Sequence, residues 1–211
     1  MTIMGQPSRR RRRQPEELRE EALAAAREIL VAEGPGAITL QGVAAALGMT
    51  HGSITHNFGT AANLQAAVAD SLVEELLFEV CTGTSLLRTG AIDEEALVDR
   101  VFEVFERTGV GRLIGWLAGH SSPLLAPLFE RFARLPAELS KHETDHAAFA
   151  ETDLPAIIEG IVMPALSASL IGADLLKALN LPESFTRDRV GRYLADERSS
   201  RLAATANARA E

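Results

Sequence analysis

The stretch "ITLQGVAAALGMTHGSITHNF", Ile38–Phe58, decides how the chain folds. It holds two short helical segments, led by Thr39 and Thr50, hydroxyl residues of the kind that cap a helix. Gly48 stands between them, suited to the left-handed backbone of a tight turn. Val43, Ala44 and Leu47 give the first segment an apolar stripe. Ile54 and Phe58, four apart, do the same for the second. Ala44 is small where the two helices would cross. The pattern predicts a helix-turn-helix over residues 39–58.

Opposite the anchored face of the second helix lie Gly52, Ser53 and His56, flanked by Thr55 and Asn57. This face is polar and nearly uncharged. Such groups read base edges: Asn pairs with adenine, Ser and Thr serve either base type, and methyl groups meet thymine. Thr50 and His51 stand at the helix N-terminus, where free N–H groups and the dipole favour a phosphate. Gly52 allows close approach. We therefore expect Thr39, Thr50, His51, Gly52, Ser53, Thr55, His56 and Asn57 to contact DNA, with His51 near the sugar–phosphate chain and His56 toward the groove. A surface helix in an ordinary bundle satisfies the same pattern.

Outward from this stretch, the chain reads as all-α. Pro15 opens "PEELREEALAAAREILVAEG", with Leu18, Ala22, Ala25, Ile29 and Leu30 on one face and Gly34 just past its end. A long helix is expected from Ala61 through about Cys81, before the chain loosens at "TGTSLLRTGA". Further helices are expected at about Asp93–Arg107 and Arg112–Gly119. Pro123 to about Glu151 reads as one helix, bent at Pro136. Asp153–Asn180 reads as another, kinked at Pro164, and the last spans about Glu183–Arg201. The domain expectation is a basic arm at 1–14, a helix-turn-helix head at 15–64, and a ligand-binding and dimerising body at 65–211, about nine helices in all.

Composition sets the bounds. The chain has 211 residues and a formal net charge of −8, an unpromising total for a nucleic-acid binder. Distribution changes this. Seven arginines face six glutamates over residues 1–64, so the head is slightly positive and the remainder carries the acidity. Five of those arginines, Arg9, Arg10, Arg11, Arg12 and Arg13, are consecutive, a basic arm of the kind that contacts nucleic acid or stays solvated. The single cysteine, Cys81, excludes an intrachain disulfide framework or cysteine metal cluster and fits a reducing cytoplasm. The N-terminus lacks a signal peptide's apolar core, and no apolar run reads as long enough to span a membrane.

"ITLQGVAAALGMTHGSITHNFGTAANL", Ile38–Leu64, resembles the DNA-binding segment of the tetracycline-repressor-like (TetR) family of bacterial regulators. The likeness rests on Thr39, Leu40, Val43, Ala44, Leu47, Gly48, Gly52, Ile54, His56, Phe58 and Leu64. It implies that three N-terminal helices bind DNA while the remaining helices bind a ligand and dimerise. It also implies a repressor released from a near-palindromic operator by a small, largely apolar effector. The chain departs from the family's usual residues at His51, Thr55, Asn57 and Ala61, where a basic residue, a tyrosine, an aromatic or His, and a phosphate-binding lysine are usual. The Arg9–Arg13 arm is expected to compensate, by analogy with arms that enter the minor groove.

For the effector pocket we expect Phe102, Phe105, Leu113, Trp116, His120, Phe132 and Met163 among the lining groups, apolar walls with a few polar atoms. For a homodimer we expect the helices at about 153–180 and 183–201, the first rich in small residues, to form half of a four-helix bundle. No cofactor and no enzyme activity are expected. One competing motif stands apart: "HETDH" places His142 and His146 on one helix face with Glu143 between them, the pattern of a zinc hydrolase, although Phe149 and Thr152 occupy the places of the extended motif. "GHSSP", Gly119–Pro123, and "GVGRLIG", Gly109–Gly115, read as helix connections rather than as a nucleophile elbow or a dinucleotide loop, since neither follows a strand.

Overall fold

The computed structural model describes residues 15–140 and 154–208. Among them the regular structure is helical throughout: α1 (Pro15–Glu33), α2 (Leu40–Ala46), α3 (His51–Phe58), α4 (Ala61–Arg88), α5 (Glu94–Thr108), α6 (Val110–Gly119), α7 (Leu125–Ser140), α8 (Leu154–Ser167), α9 (Ala173–Ala178) and α10 (Phe185–Ala208). A 3-10 turn, Pro35–Ala37, links α1 to α2. A π-turn, Ala168–Gly172, joins α8 to α9 without leaving helical dihedrals. Taken with that turn, α8 and α9 form one rod, and the described residues hold nine rods.

The head, α1 to α3, follows its caps. Thr39 accepts from the Gly42 amide and Thr50 from the Ser53 amide, which satisfies orphan donors at both helix starts. Gly48 has φ +62, and a Cβ there would meet nothing within 4 Å. Its glycine therefore serves the backbone conformation alone. Ala44, Ile54 and Phe58 are buried with Leu18, Ala26 and Leu30 of α1. This core continues without a break along α4 (Leu64, Val68, Leu72, Leu76) into the body.

Several expected boundaries shift. The helix expected to end near Cys81 runs on to Arg88. Gly83 does not break it, because it makes room for a neighbour: a Cβ there would lie 2.6 Å from Leu97 Cδ1. Thr84 turns its hydroxyl back to the Val80 carbonyl at 2.7 Å and is buried. The last helix extends past Arg201 to Ala208. The helix expected from Pro123 begins at Leu125 and is described to Ser140. "GVGRLIG" lies mostly within α6 rather than between helices. Its glycines let α6 cross the π-turn closely, since a Cβ on Gly111 would collide with Ser169 Oγ and one on Gly115 would come within 2.8 Å of Leu170 Cδ2. Pro164 sits inside α8, where it removes one ladder bond four residues before the π-turn begins.

Contrary to the sequence reading, one segment, Pro155–Ala178, is long and apolar enough to cross a membrane by length and composition, with a mean hydropathy of 1.7. Only 11% of that window is buried within the single chain. Leu170, Ile171, Leu175 and Leu179 are all exposed, as are Met163 on α8 and Tyr193 on α10.

Candidate nucleic-acid interface

The candidate interface is built on α3. Ile54 and Phe58 point into the core at 0% and 4% exposure, while His51, Gly52 and His56 are exposed and Ser53, Thr55 and Asn57 half-buried. The residues expected at the DNA thus occupy all of this short helix that Ile54 and Phe58 do not anchor, with Gly52 and His56 farthest from the core. Thr50, its cap, and Thr39, the cap of α2, are both exposed.

Hydrogen bonds divide these groups. Thr50 and Ser53 pair through their hydroxyls at 2.9 Å. The Thr55 hydroxyl donates to the His51 carbonyl at 2.9 Å and lies 3.3 Å from His51 Nδ1. The Asn57 amide donates to the Ser53 carbonyl at 2.9 Å. Ser53, Thr55 and Asn57 therefore brace their own helix in the free protein, and reading bases would require Asn57 to use its remaining donor and its oxygen. His56 makes no hydrogen bond among the described residues and presents its ring outward. This local bracing was not foreseen in the sequence, although it is what short polar side chains do on a helix.

Charge is scarce. In residues 15–64 the basic side chains are Arg19 and Arg27 alone. Arg19 lies over the Phe58 ring, its guanidinium carbon 5.0 Å from the centroid, a cation–π contact at the end of α3. Arg27 is taken up elsewhere. It binds Glu75 at 2.9 Å, the Ser71 carbonyl at 2.8 Å and the Ser71 hydroxyl at 3.2 Å. Arg107 shares the same Glu75 at 2.6 Å. Arg112 donates to the Val31 carbonyl at 2.8 Å. The end of α1 is thus fastened to α4 and, through Glu75 and Arg112, to α5 and α6. Arg9–Arg13 lie outside the described residues, as do His142, Glu143 and His146. Among the described residues no group of three or more His, Cys, Asp or Glu side chains is placed to hold a metal ion.

The residues expected around an effector scatter. Phe102, Phe105 and Leu113 are buried in the continuous core, with Phe102 beneath Arg187. Trp116 is half-buried and stacks on His120 with ring centroids 4.5 Å apart. Phe132 is half-buried on α7, and Met163 is exposed on a shallow hollow of α8 and α9. None of them lines the narrow apolar slot between α4, α5, α8 and α10, whose polar members are Thr84, Glu94, Glu197 and Arg198. Sequence reasoning missed that slot. Glu94 looks like an ordinary first-turn acid, and its partner Arg198 is 104 residues away.

A family model described as bacterial regulatory proteins, tetR family, matches residues 22–68, which span α1 from Ala22 through α3 and into α4. No curated protein sequence matches the chain. Among solved structures, the crystal structure of a multidrug binding protein, EbrR, complexed with imidazole aligns with a TM-score of 0.55 at 22% identity, over 83% of this chain and 89% of that one. At that identity the likeness is one of fold.

Proposed function

Starting from a chain whose N-terminal head is that of a tetR-family DNA-binding regulator, we propose that it works as a homodimeric repressor on a near-palindromic operator, released by a small, largely apolar effector. The observation that carries this is the division of α3, with Ile54 and Phe58 fixed in the core and Gly52, Ser53 and His56 turned outward. A helix held on one side and polar on the other fits a major groove. Arg19 and the Arg9–Arg13 arm supply phosphate contacts that the uncharged helix lacks.

The body supports the remaining parts. The exposed apolar side of α8, the π-turn and α9, with Tyr193 of α10 beside it, suits a second copy of the same face across a two-fold axis. Such a pair sets two copies of α3 about one DNA turn apart. Coupling follows α4, whose 28 residues reach about 42 Å at 1.5 Å each. Leu64 and Val68 of α4 belong to the head core, while Val80, Thr84 and Leu87 line the slot. A ligand that prefers the arrangement with poor DNA geometry lowers DNA affinity by the ratio of its two affinities. Acting on chromosomal DNA places the protein in the bacterial cytoplasm.

A gel shift on DNA upstream of the protein's own gene, with and without chelator, tests this reading. A retarded band indifferent to chelator supports it. A chelator-sensitive peptidase activity without DNA binding would move the function to His142, Glu143 and His146.

A further inference from the structure

The π-turn Ala168–Gly172 stands where two surfaces meet. Single π-turns inside helices are rare and frequently mark functional sites. The inner surface of this one bears on α6. Gly111 lies against Ser169 and Gly115 against Leu170 so closely that neither glycine has room for a Cβ unless its neighbour moves. With no α6 side chain between them, a shift of the turn meets the α6 backbone directly. The outer surface is open, with Leu170 45% and Ile171 59% exposed. Leu170 therefore belongs to both surfaces. From α6 the contacts lead on to the head. A Cβ on Gly109, just before α6, would come within 3.2 Å of Leu30 Cγ, and Arg112 donates to the Val31 carbonyl at 2.8 Å. Leu30 and Val31 lie near the end of α1, ahead of the 3-10 turn that leads into α2 and α3. Arg112, which grips α1, directly follows Gly111, which touches the π-turn, on a helix of ten residues.

We propose that the π-turn is a joint through which a second copy of the chain firms the DNA-binding head. A partner that covers Leu170 and Ile171 confines the turn, the turn confines α6, and α6 holds the C-terminal end of α1 in place. The single chain then carries a looser head than the pair, and the ordering that DNA binding needs is supplied by dimer formation before an operator is met. This rests on the homodimer of the proposed function, and sedimentation tells the failure of that reading from the failure of this one.

The test is hydrogen exchange followed by mass spectrometry on the full chain, as dimer and as monomer, with the state fixed by analytical ultracentrifugation. Tyr193→Asp, on the exposed side of α10 and outside the turn, supplies the monomer, and Ile171→Asp supplies it if the first variant still pairs. Dimer formation should raise the protection of residues 109–119 and of 27–38 by roughly fivefold or more. Two substitutions, each measured in the dimer and in the monomer, cut the route at different points. Gly115→Ala, which parts α6 from Leu170, should shrink the dimer-linked gain in both segments. Arg112→Ala, which frees the Val31 carbonyl, should shrink it over 27–38 and keep it over 109–119. A purely structural loss would lower protection in dimer and monomer alike and leave the gain unchanged, which overturns the proposal. A wild-type dimer whose two segments exchange as fast as in the monomer also overturns the joint, while the dimer itself stands. A wild-type chain that sediments only as a monomer overturns the dimer and the joint together.

Discussion

Replacing Ile54 by Ala removes the deeper of the two side chains that hold α3. Its eight residues fall short of the roughly 12–15 that an isolated helix needs in water, so tertiary anchoring is what keeps it formed. Ile54 is 0% exposed, and truncating a buried Ile to Ala costs about 2–5 kcal/mol. Alanine is the better helix former, so propensity works against the loss and cannot cause it. If α3 opens on its own, its amides should lose protection by about 30-fold to several thousand-fold, at about 1.4 kcal/mol per tenfold. If it opens with the whole chain, the melting temperature should fall by about 4–20 °C. Hydrogen exchange followed by mass spectrometry on residues 49–59, beside a thermal melt, separates the two. Ile54→Val should cost about 0.5–1.5 kcal/mol and lie between. In either case Ile54→Ala should bind selected DNA much more weakly than wild type. Unchanged protection over 49–59 together with wild-type DNA affinity would refute the reasoning that this anchor presents the polar face.

Deleting residues 9–13 should lower DNA affinity and flatten its salt dependence by about 0.9 log units per log salt for each phosphate that the arm neutralises; unchanged affinity across a salt series sinks the compensating role of the arm. Ile171→Asp, on the exposed side of the π-turn, should turn a dimer into a monomer in analytical ultracentrifugation at micromolar concentration. A wild-type chain that is already monomeric, or that partitions into membranes, contradicts the dimer face. Gly109→Ala should lower the melting temperature by about 2–8 °C: φ is +72 there and the new Cβ would press on Leu30 Cγ at 3.2 Å, adding to about 1–2 kcal/mol of left-handed strain.

The head was legible because its signals are local. Thr39, Gly48 and Thr50 each act within a few residues, and Ile54 and Phe58 declare their face by a spacing of four. The end of α4 was not legible, since Gly83 and Thr84 read as breakers until Leu97 and the Val80 carbonyl are in place. The slot was not legible either, because it depends on residues from four helices, Glu94 and Arg198 being 104 positions apart. Fully buried Phe105 and Leu113 look identical in sequence to pocket walls, since both roles call for large apolar side chains.

The most direct test of the central claim is selection of bound duplexes from a random DNA pool by the full chain. The account predicts enrichment of a near-palindromic motif whose half-sites lie about one helical turn apart, with enrichment lost in Ile54→Ala. A wild-type pool that emerges without any preferred sequence would contradict it.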